Sequence, residues 1–349
     1  MHGWWHGCSP RSIRQVPGRL VDRNPQVPVD RLLADLVPPP HFAEVRFSTY
    51  RPDPSEPTQA AAVAALEAFG ARLGERPTRR WRRAAAPESR AGVYLDGGFG
   101  VGKTHLLASL WHVAPEPRAY GTFVEYTNLV GALGFAEAVA RLSTYRLVCI
   151  DEFELDDPGD TVLMSTLLGR LVDGGVKLAA TSNTLPERLG EERFAAEDFL
   201  REIQGLSAHF DVLRIEGEDY RHRGAPIAPE PLSRDEVEAL AQGRDRAVID
   251  DWRDLQRHLE RVHPSRYSAL VDGVAAAYLT DVRTLTDQVE ALRTVVLIDR
   301  LYDRDIPVRA SGVPVDRIFS EEMLRGGYRK KYRRALSRIV ALTRLGDTP

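Results

Sequence analysis

Residues 97–104 read Gly-Gly-Phe-Gly-Val-Gly-Lys-Thr, which matches the phosphate-loop pattern of one glycine, four residues and then Gly-Lys-Thr. Glycines in such a loop let several backbone N–H groups approach a phosphate chain closely. We expect Lys103 to reach the β- and γ-phosphates and the Thr104 hydroxyl to hold Mg²⁺. The predicted nucleotide-binding residues are Gly97, Gly98, Phe99, Gly100, Val101, Gly102, Lys103, Thr104 and His105.

The sequence on either side supports this interpretation of the loop. The apolar residues 92–95 predict a short buried strand, and residues 104–111 predict a helix. A strand, a glycine loop and a helix in this order form the context in which the pattern binds phosphate, because the helix N-terminus adds a favourable dipole. A glycine-rich turn without a ligand would not require lysine and threonine at its end.

A second apolar strand ends in two acids. Residues 147–150 are Leu-Val-Cys-Ile, and Asp151 and Glu152 follow them. A continuous apolar run of this kind predicts a central parallel strand, whose carboxyl end faces the ligand. We expect Asp151 to organise Mg²⁺ and Glu152 to activate the attacking water. The alternative is that the two acids cap a helix.

Further apolar segments complete a predicted sheet. Residues 176–181 predict a strand followed by Asn183, which would lie beside the γ-phosphate and orient water; an asparagine in a tight turn is the alternative. Residues 122–126 and 211–215 predict the second and fifth strands. The predicted fold class is α/β: a P-loop NTPase with a five-stranded parallel sheet in the order 5-1-4-3-2, and a smaller, mostly helical C-terminal lid domain.

Composition divides the chain into three predicted parts. Residues 1–33 form a flexible basic N-terminal arm, which is either a poorly ordered leader or a contact for a partner or a membrane surface. Residues 34–225 form the ATPase core, including a proline-rich segment that wraps around it. Within this segment Tyr50, Pro54 and Gln59 would cover the adenine, although packing equally explains the aromatic residue. Residues 226–349 form the lid domain, after a proline-rich linker.

The overall composition sets limits on partners and location. A net charge of −3 gives no overall attraction to nucleic acid or to an anionic membrane. No apolar run approaches the length of a membrane span. Two cysteines, Cys8 and Cys149, do not form a disulfide framework and fit a reducing cytoplasm. We therefore expect a cytoplasmic protein, with peripheral membrane association left open.

The run Arg79-Arg80-Trp81-Arg82-Arg83 is the sharpest concentration of charge. It is either a nucleic-acid or partner contact, with Trp81 available for stacking, or a solvated segment with one packed tryptophan. The second interpretation is favoured because the run is short and occurs once. Nucleic acid is accordingly not the expected partner.

Taken together, these segments resemble an AAA+ ATPase and, more narrowly, the ZapE family of bacterial cell-division ATPases, which is related to a mitochondrial inner-membrane-associated ATPase. The resemblance covers residues 34–345. The segments that carry it are Phe47-Ser48-Thr49-Tyr50, Asp151-Glu152-Phe153, Thr181-Ser182-Asn183, Asp219-Tyr220-Arg221, Leu297-Ile298-Asp299 and Ser337-Arg338.

The resemblance implies Mg²⁺-dependent ATP hydrolysis in a nucleotide-dependent ring or other homo-oligomer. For bacterial members it implies association with the division ring and its tubulin-like protein FtsZ, and for mitochondrial relatives a part in protein turnover. The expected function is therefore ATP-driven remodelling of a protein partner, with FtsZ as the first candidate. Two alternatives stay open: a nucleic-acid-linked ATPase of the helicase-loader or initiator type, and a nucleotide-dependent scaffold with little turnover.

The resemblance also implies an arginine finger, and here the sequence departs from the family pattern. The usual position holds Ala196, so Arg193 and Arg201 are the candidate substitutes, and a surface location explains each of them equally well. A finger contributes on the order of 10³ to 10⁵ in rate, so its loss would leave a slow enzyme. Arg338 and Arg293 are the candidates for a lid arginine.

Overall fold

The computed structural model describes residues 17–74, 90–98, 100–153, 158–185, 204–205, 207–217 and 228–345. These residues belong to two compact units. The catalytic unit comprises the described residues from 26 to 217 together with 325–330. The C-terminal unit comprises residues 17–25, 228–324 and 331–345. None of the helices in these ranges combines the length and the apolar composition that crossing a bilayer requires.

The catalytic unit contains a five-stranded parallel sheet. Its strands are β1 (Gly92–Gly97), β2 (Arg118–Thr122), β3 (Leu147–Asp151), β4 (Lys177–Ser182) and β5 (Phe210–Ile215). They are arranged in the order β2-β3-β4-β1-β5, which is the predicted order read from the opposite edge. The predicted fold class is thereby confirmed.

Helices cover the two faces of this sheet, and the side chains of β3 show how. Leu147 and Cys149 pack into one apolar core together with helix residues such as Leu107, whereas Val148 and Ile150 pack into the other. Burial on both faces explains why the strand is continuously apolar in sequence. The helices of this unit are α1 (Val29–Ala34), α2 (Pro57–Leu73), α3 (Lys103–Val113), α4 (Phe123–Leu133), α5 (Phe135–Leu142) and α6 (Pro158–Asp173).

One strand prediction was wrong. Residues 123–126 begin α4, and β2 lies just before them, at Arg118–Thr122. The Thr122 side chain accepts from the Glu125 N–H, and the Glu125 carboxylate accepts from the Thr122 N–H at 2.6 Å. This capping box fixes the start of the helix, and its Thr-x-x-Glu pattern is readable in sequence. α4 and α5 meet at Gly134, where φ is 80° and the helical backbone is interrupted.

The C-terminal unit is organised by a second parallel sheet, in the order β6-β7-β8. The strands are β6 (Ala247–Asp251), β7 (Ala276–Val282) and β8 (Val308–Gly312). Helices still supply most of the regular structure: α7 (Arg234–Ala241), α8 (Trp252–Leu259), α9 (Tyr267–Leu270), α10 (Gln288–Tyr302), α11 (Glu321–Arg325) and α12 (Arg329–Leu345). A capping box of Ser233 and Glu236 opens α7. The prediction omitted β6, because only three of its residues are apolar.

The described part of the N-terminal arm is anchored to this second sheet. Gly18 pairs in parallel with Val248 of β6. The Leu20 and Val21 N–H groups donate to the buried Asp250 carboxylate at 2.9 and 3.1 Å. These bonds attach residues 18–21 to β6. The flexible arm over residues 1–33 and the domain boundaries at 33 and 225 remain predictions.

Candidate active site

The backbone of the phosphate loop requires glycine at two described positions. A side chain at Gly97 would place its Cβ in collision with the Ile215 carbonyl oxygen on β5. Gly102 has a φ of 87°, and a Cβ there would lie 2.5 Å from the Tyr50 ring. The loop is thus shaped by the strand beneath it and by the segment that precedes it in sequence. Phe99, a predicted loop residue, lies outside the described residues.

The wrap-around segment holds the loop in place. The Tyr50 hydroxyl donates to the Val101 carbonyl at 2.8 Å, and Thr49 Oγ1 lies 3.0 Å from His105 Nε2. The buried Gln59 amide accepts from the Asp53 N–H and donates to the Glu216 carbonyl, both at 2.9 Å. These contacts assign Tyr50 and Gln59 to holding the segment, and their predicted part in covering adenine stays a prediction.

Lys103 joins the loop to the end of β4. Its Nζ donates to the Gly97 and Gly98 carbonyls at 2.8 and 2.6 Å, and to Asn183 Oδ1 at 2.7 Å. Lys103 is 9 % exposed, so these polar contacts offset the cost of burying its ammonium group. Two predicted site residues, 80 positions apart in sequence, therefore meet directly.

Asp151 lies at the centre of a buried hydrogen-bond network. Its Oδ1 accepts a bond from the Thr181 hydroxyl and lies 3.3 Å from Thr104 Oγ1. Its Oδ2 accepts from the Tyr120 hydroxyl at 2.8 Å. The predicted pair of Thr104 and Asp151 is thus brought together, and every donor that the structure shows to Asp151 is neutral.

Glu152 follows in a left-handed conformation, with φ at 54°. Such a φ is uncommon outside glycine and persists only where neighbouring contacts enforce it. Here the Glu152 N–H points to Asp151 Oδ1 and Thr181 Oγ1, at 3.2 and 3.0 Å. The next residue, Phe153, is fully buried and its N–H donates to the Thr181 carbonyl at 2.7 Å. The backbone of the predicted base is therefore fixed on both sides.

Burial controls the protonation of two groups near the network. Burial, together with the charge of Asp151, raises the pKa of Tyr120 well above its ordinary value. The phenol therefore stays protonated and donates to the carboxylate. Burial also raises the pKa of the Cys149 thiol well above its ordinary value, so the thiol stays neutral and packs as a small apolar residue of the core.

The structure does not place every predicted site residue. Arg193 and Arg201, the candidate fingers, lie outside the described residues, as do the Arg79–Arg83 run and the Asp219-Tyr220-Arg221 triplet. Of the candidate lid arginines, Arg293 lies within α10. Arg338 donates to Asp299 at 2.5 Å and stacks 5.3 Å from the centre of the Tyr302 ring.

Sequence reasoning missed two partners of Asp151. Thr181 was recognised only as part of the Thr-Ser-Asn segment, although it donates to the carboxylate and accepts from the Glu152 N–H. Tyr120 was missed because β2 was predicted too late, in residues 122–126, which placed the tyrosine before the sheet. A correct reading of the capping box at Thr122 would have moved the strand back and shown Tyr120 near its carboxyl end.

The oxygen atoms at this site are suitable ligands for a hydrated magnesium ion. Mg²⁺ prefers oxygen ligands and binds through one or two protein groups plus phosphates and water. Thr104 Oγ1 and the Asp151 carboxylate supply such oxygens side by side. The hydrogen-bond donors to Asp151 are neutral hydroxyl and N–H groups, so no cation among the described residues pairs with its negative charge.

Comparison with known proteins gives matches along most of the chain. The family model described as AFG1-like ATPase matches residues 26–243 and 235–346. The cell division protein ZapE of Escherichia coli K12 is 27% identical over 291 residues, covering 71% of this chain and 76% of that protein. The lactation elevated protein 1 homolog B of Danio rerio is 22% identical over 297 residues, covering 69% and 59%.

Among solved structures, domain III of the replication initiation protein DnaA from Thermotoga maritima is 16% identical. It covers 76% of this chain and 90% of its own, with a TM-score of 0.38. A TM-score of this size is too low to carry a functional comparison.

Proposed function

The chain belongs to the AFG1-like ATPase family and is a nucleotide-binding AAA+ ATPase, and we propose that it hydrolyses ATP with Mg²⁺ and uses the turnover to remodel a protein partner. The family assignment confirms the resemblance to the ZapE family. The partner that we propose is FtsZ, because the matching Escherichia coli relative is a cell division protein. The proposed location is the cytoplasm, and the proposed active form is a homo-oligomer.

The observation that supports the catalytic proposal is the contact between Lys103 and Asn183 at 2.7 Å, next to the paired Thr104 and Asp151. Lys103 and Asn183 lie at the same edge of one sheet as Thr104 and Asp151. Ligands bind in open α/β sheets at the carboxyl ends of the strands, which is where these side chains are.

In this proposal each side chain has a separate task. Lys103 exchanges the loop carbonyls for phosphate oxygens when ATP binds. Thr104 and Asp151 would hold Mg²⁺, which supplies positive charge to the phosphates. Glu152 accepts a proton from the attacking water, and Asn183 orients that water against the terminal phosphate.

The positive charge that completes the site would come from a neighbouring subunit. We assign it to Arg193 or Arg201, on the basis of their position after the Thr-Ser-Asn segment. Alanine at the true finger should lower the ATPase rate by on the order of 10³ while leaving ATP binding intact. An equal rate for both alanine variants and the parent would exclude both arginines.

Nucleotide binding is tested with Lys103→Ala. Loss of the lysine removes the ammonium group that would face the phosphates, so we expect ATP affinity to fall by about 100-fold, the scale of a lost charge-assisted contact in a buried site. Fluorescent-nucleotide titration measures this affinity. Lys177→Ala, at the opposite end of β4, is the matched control and should bind ATP like the parent. Unchanged affinity in Lys103→Ala would contradict the assignment.

The partner is tested with purified FtsZ. Glu152→Gln should bind ATP without hydrolysing it, and should therefore cosediment with FtsZ polymers in ATP but much less in ADP. Lys103→Ala in ATP is the control for nucleotide dependence. Equal cosedimentation of Glu152→Gln in ATP, Glu152→Gln in ADP and Lys103→Ala in ATP would contradict an ATP-driven action on FtsZ. Salt-sensitive binding to single-stranded DNA, without FtsZ binding, would replace the proposal with a nucleic-acid-linked ATPase.

A further inference from the structure

Tyr120 reaches the acidic centre of the site from the edge strand β2. In the register of the sheet, Tyr120 lies beside Cys149 and Thr122 lies beside Asp151. Neighbouring residues in a parallel register share a face, and so do alternate residues of one strand. The Tyr120 ring therefore lies on the same face of the sheet as Cys149 and, two residues later, Asp151. The ring leans along the strand direction, and its hydroxyl meets Asp151 Oδ2 at 2.8 Å.

The two oxygens of Asp151 have different surroundings. Oδ1 accepts from the Thr181 hydroxyl and the Glu152 N–H, and it faces Thr104. Oδ2 has one hydrogen-bond donor in the part of the chain that the structure describes, and that donor is Tyr120. The tyrosine therefore holds the oxygen opposite to the one that faces the phosphate loop, and with the donors to Oδ1 it restricts the rotation of the carboxylate.

The buried Tyr120 hydroxyl would destabilise the folded protein without its hydrogen bond to Asp151. Tyr120 is 2% exposed and packs among apolar side chains, where phenylalanine would fill nearly the same volume. A buried hydroxyl without a hydrogen bond is destabilising, whereas a neutral hydroxyl donor orients a carboxylate without cancelling its charge. An arginine or lysine at the same position would compete with a metal ion for that charge.

We propose that Tyr120 is a positioning residue of the ATPase: by holding Oδ2, it presents Asp151 Oδ1 and its charge to the metal and thereby sets the Mg²⁺ affinity of the nucleotide site. This inference rests on the proposed role of Asp151 in holding Mg²⁺. Because the buried Tyr120 hydroxyl bonds to Asp151, the tyrosine would act through this carboxylate, so its removal should change the metal requirement and leave metal-free nucleotide binding unchanged.

The test compares Tyr120→Phe with Tyr126→Phe in the full chain. Tyr126 is the matched control, because it is also buried and its hydroxyl donates at 3.0 Å to the Cys149 backbone carbonyl, not to Asp151. In Tyr120→Phe we expect the Mg²⁺ concentration for half-maximal ATPase rate to rise about tenfold, the scale of one hydrogen bond to a charged group. The rate at saturating Mg²⁺ should fall less than about threefold, since the tyrosine acts through Asp151.

A binding measurement separates this role from a structural one. Fluorescent ATP analogue affinity is titrated in EDTA and then in Mg²⁺, at a temperature below the melting temperature of each variant. Tyr120→Phe should match the parent in EDTA and lose most of the Mg²⁺-dependent gain in affinity, whereas Tyr126→Phe should match the parent in both.

The outcomes distinguish the two proposals. If the parent binds and hydrolyses ATP equally well without Mg²⁺, the proposed metal role of Asp151 fails. If the parent requires Mg²⁺ and Tyr120→Phe follows the same Mg²⁺ curve, only the positioning role of Tyr120 is overturned. An equal rise in the half-maximal Mg²⁺ concentration in Tyr120→Phe and Tyr126→Phe would also overturn the positioning role, because it would reflect a general loosening of the core.

Discussion

In each sheet of this protein one strand leads into two consecutive acids, yet the two acid pairs have different surroundings. β3 ends at Asp151 with Glu152 directly after it, and β6 ends in Ile249-Asp250-Asp251. Each strand is part of a parallel sheet and each first acid is buried, at 6% exposure for Asp151 and 1% for Asp250. From sequence and strand type alone, the two pairs are close equivalents.

Their hydrogen-bond partners differ. Asp151 accepts from hydroxyl groups of other strands and lies beside the phosphate loop. Asp250 accepts from the backbone N–H groups of Leu20 and Val21, and Asp251 accepts from those of Arg253 and Asp254 as the N-cap of α8. The acids of the second sheet therefore anchor a chain segment and begin a helix.

A second pair of residues repeats this contrast. Glu152 after β3 and Asp281 in β7 both have a left-handed backbone, with φ of 54° and 55°. Asp281 Oδ2 accepts from the Arg234 guanidinium at 2.5 Å, which neutralises its charge. Asp281 is therefore half of a structural ion pair, whereas the backbone of Glu152 is bonded to the Asp151 and Thr181 side chains of the candidate site.

The largest effect should come from matched amide substitutions at the two strand ends. Glu152→Gln removes the proposed base, so we expect the ATPase rate to fall by about 10² to 10⁴-fold with ATP binding retained. Asp251→Asn retains an N-cap side chain, so the rate should stay within about twofold of the parent. Steady-state ATPase assays measure both. A Glu152→Gln rate equal to the parent, or an equally large loss in Asp251→Asn, would remove the functional distinction between the sheets.

A buried carboxylate with charged partners provides the next contrast. Asp299 of α10 bonds to Arg334 and Arg338 of α12, at 3.0 and 2.5 Å. We expect Asp299→Asn to lower the free energy of unfolding of the C-terminal unit by about 3 kcal/mol, because it removes the carboxylate charge that two partly buried guanidinium groups share. Thermal unfolding measures the loss, and Asp303→Asn, whose carboxylate pairs with Arg300 just after the same helix, is the control.

Asp299 also makes the free energy of unfolding depend on pH. Burial alone would raise the pKa of Asp299, but Arg338 and Arg334 outweigh it and lower the pKa below its ordinary value. The folded-state pKa therefore lies below the unfolded value of about 3.9. The stabilisation is present above that value and is lost as pH falls through the folded pKa. The difference in free energy of unfolding between the parent and Asp299→Asn should therefore become smaller below about pH 4. A difference that stays constant down to about pH 2 would contradict this prediction.

The smallest effect should come from Asp250→Asn, which tests the anchoring role of the second acid pair. The amide offers one acceptor oxygen to two N–H donors, so we expect a loss of about 1 to 2 kcal/mol and faster exchange of the Leu20 and Val21 amides. Hydrogen exchange at these two amides measures the loss, with Asp245→Asn, at an exposed carboxylate paired with Arg246, as the control. Unchanged exchange at both amides would show that Asp250 does not hold the segment, and a lowered ATPase rate would give it a role beyond anchoring.

Local patterns predicted most of the catalytic unit, for identifiable reasons. The phosphate loop and the Asp151-Glu152 strand are contiguous segments whose residue types follow from backbone and burial requirements. The shifted β2 shows the limit: residues 122–126 have strand-like composition, but the Thr122 and Glu125 side chains satisfy the first N–H groups of a helix. The second sheet lies in the part of the chain predicted to be mostly helical, and its strand β6 has only three apolar residues and is recognisable mainly through its pairing with β7.

The sequence by itself determined that a phosphate loop, an acid-tipped strand and a polar sensor strand occur in the order of an AAA+ ATPase. Only the tertiary structure decided which hydrogen-bond donors meet the acids at the ends of β3 and β6. The reason is physical: the partners of Asp151 and Asp250 come from distant parts of the chain. Thr181 is 30 residues from Asp151, and Leu20 is 230 residues from Asp250, so no local pattern records whether a hydroxyl or a backbone amide will meet the carboxylate.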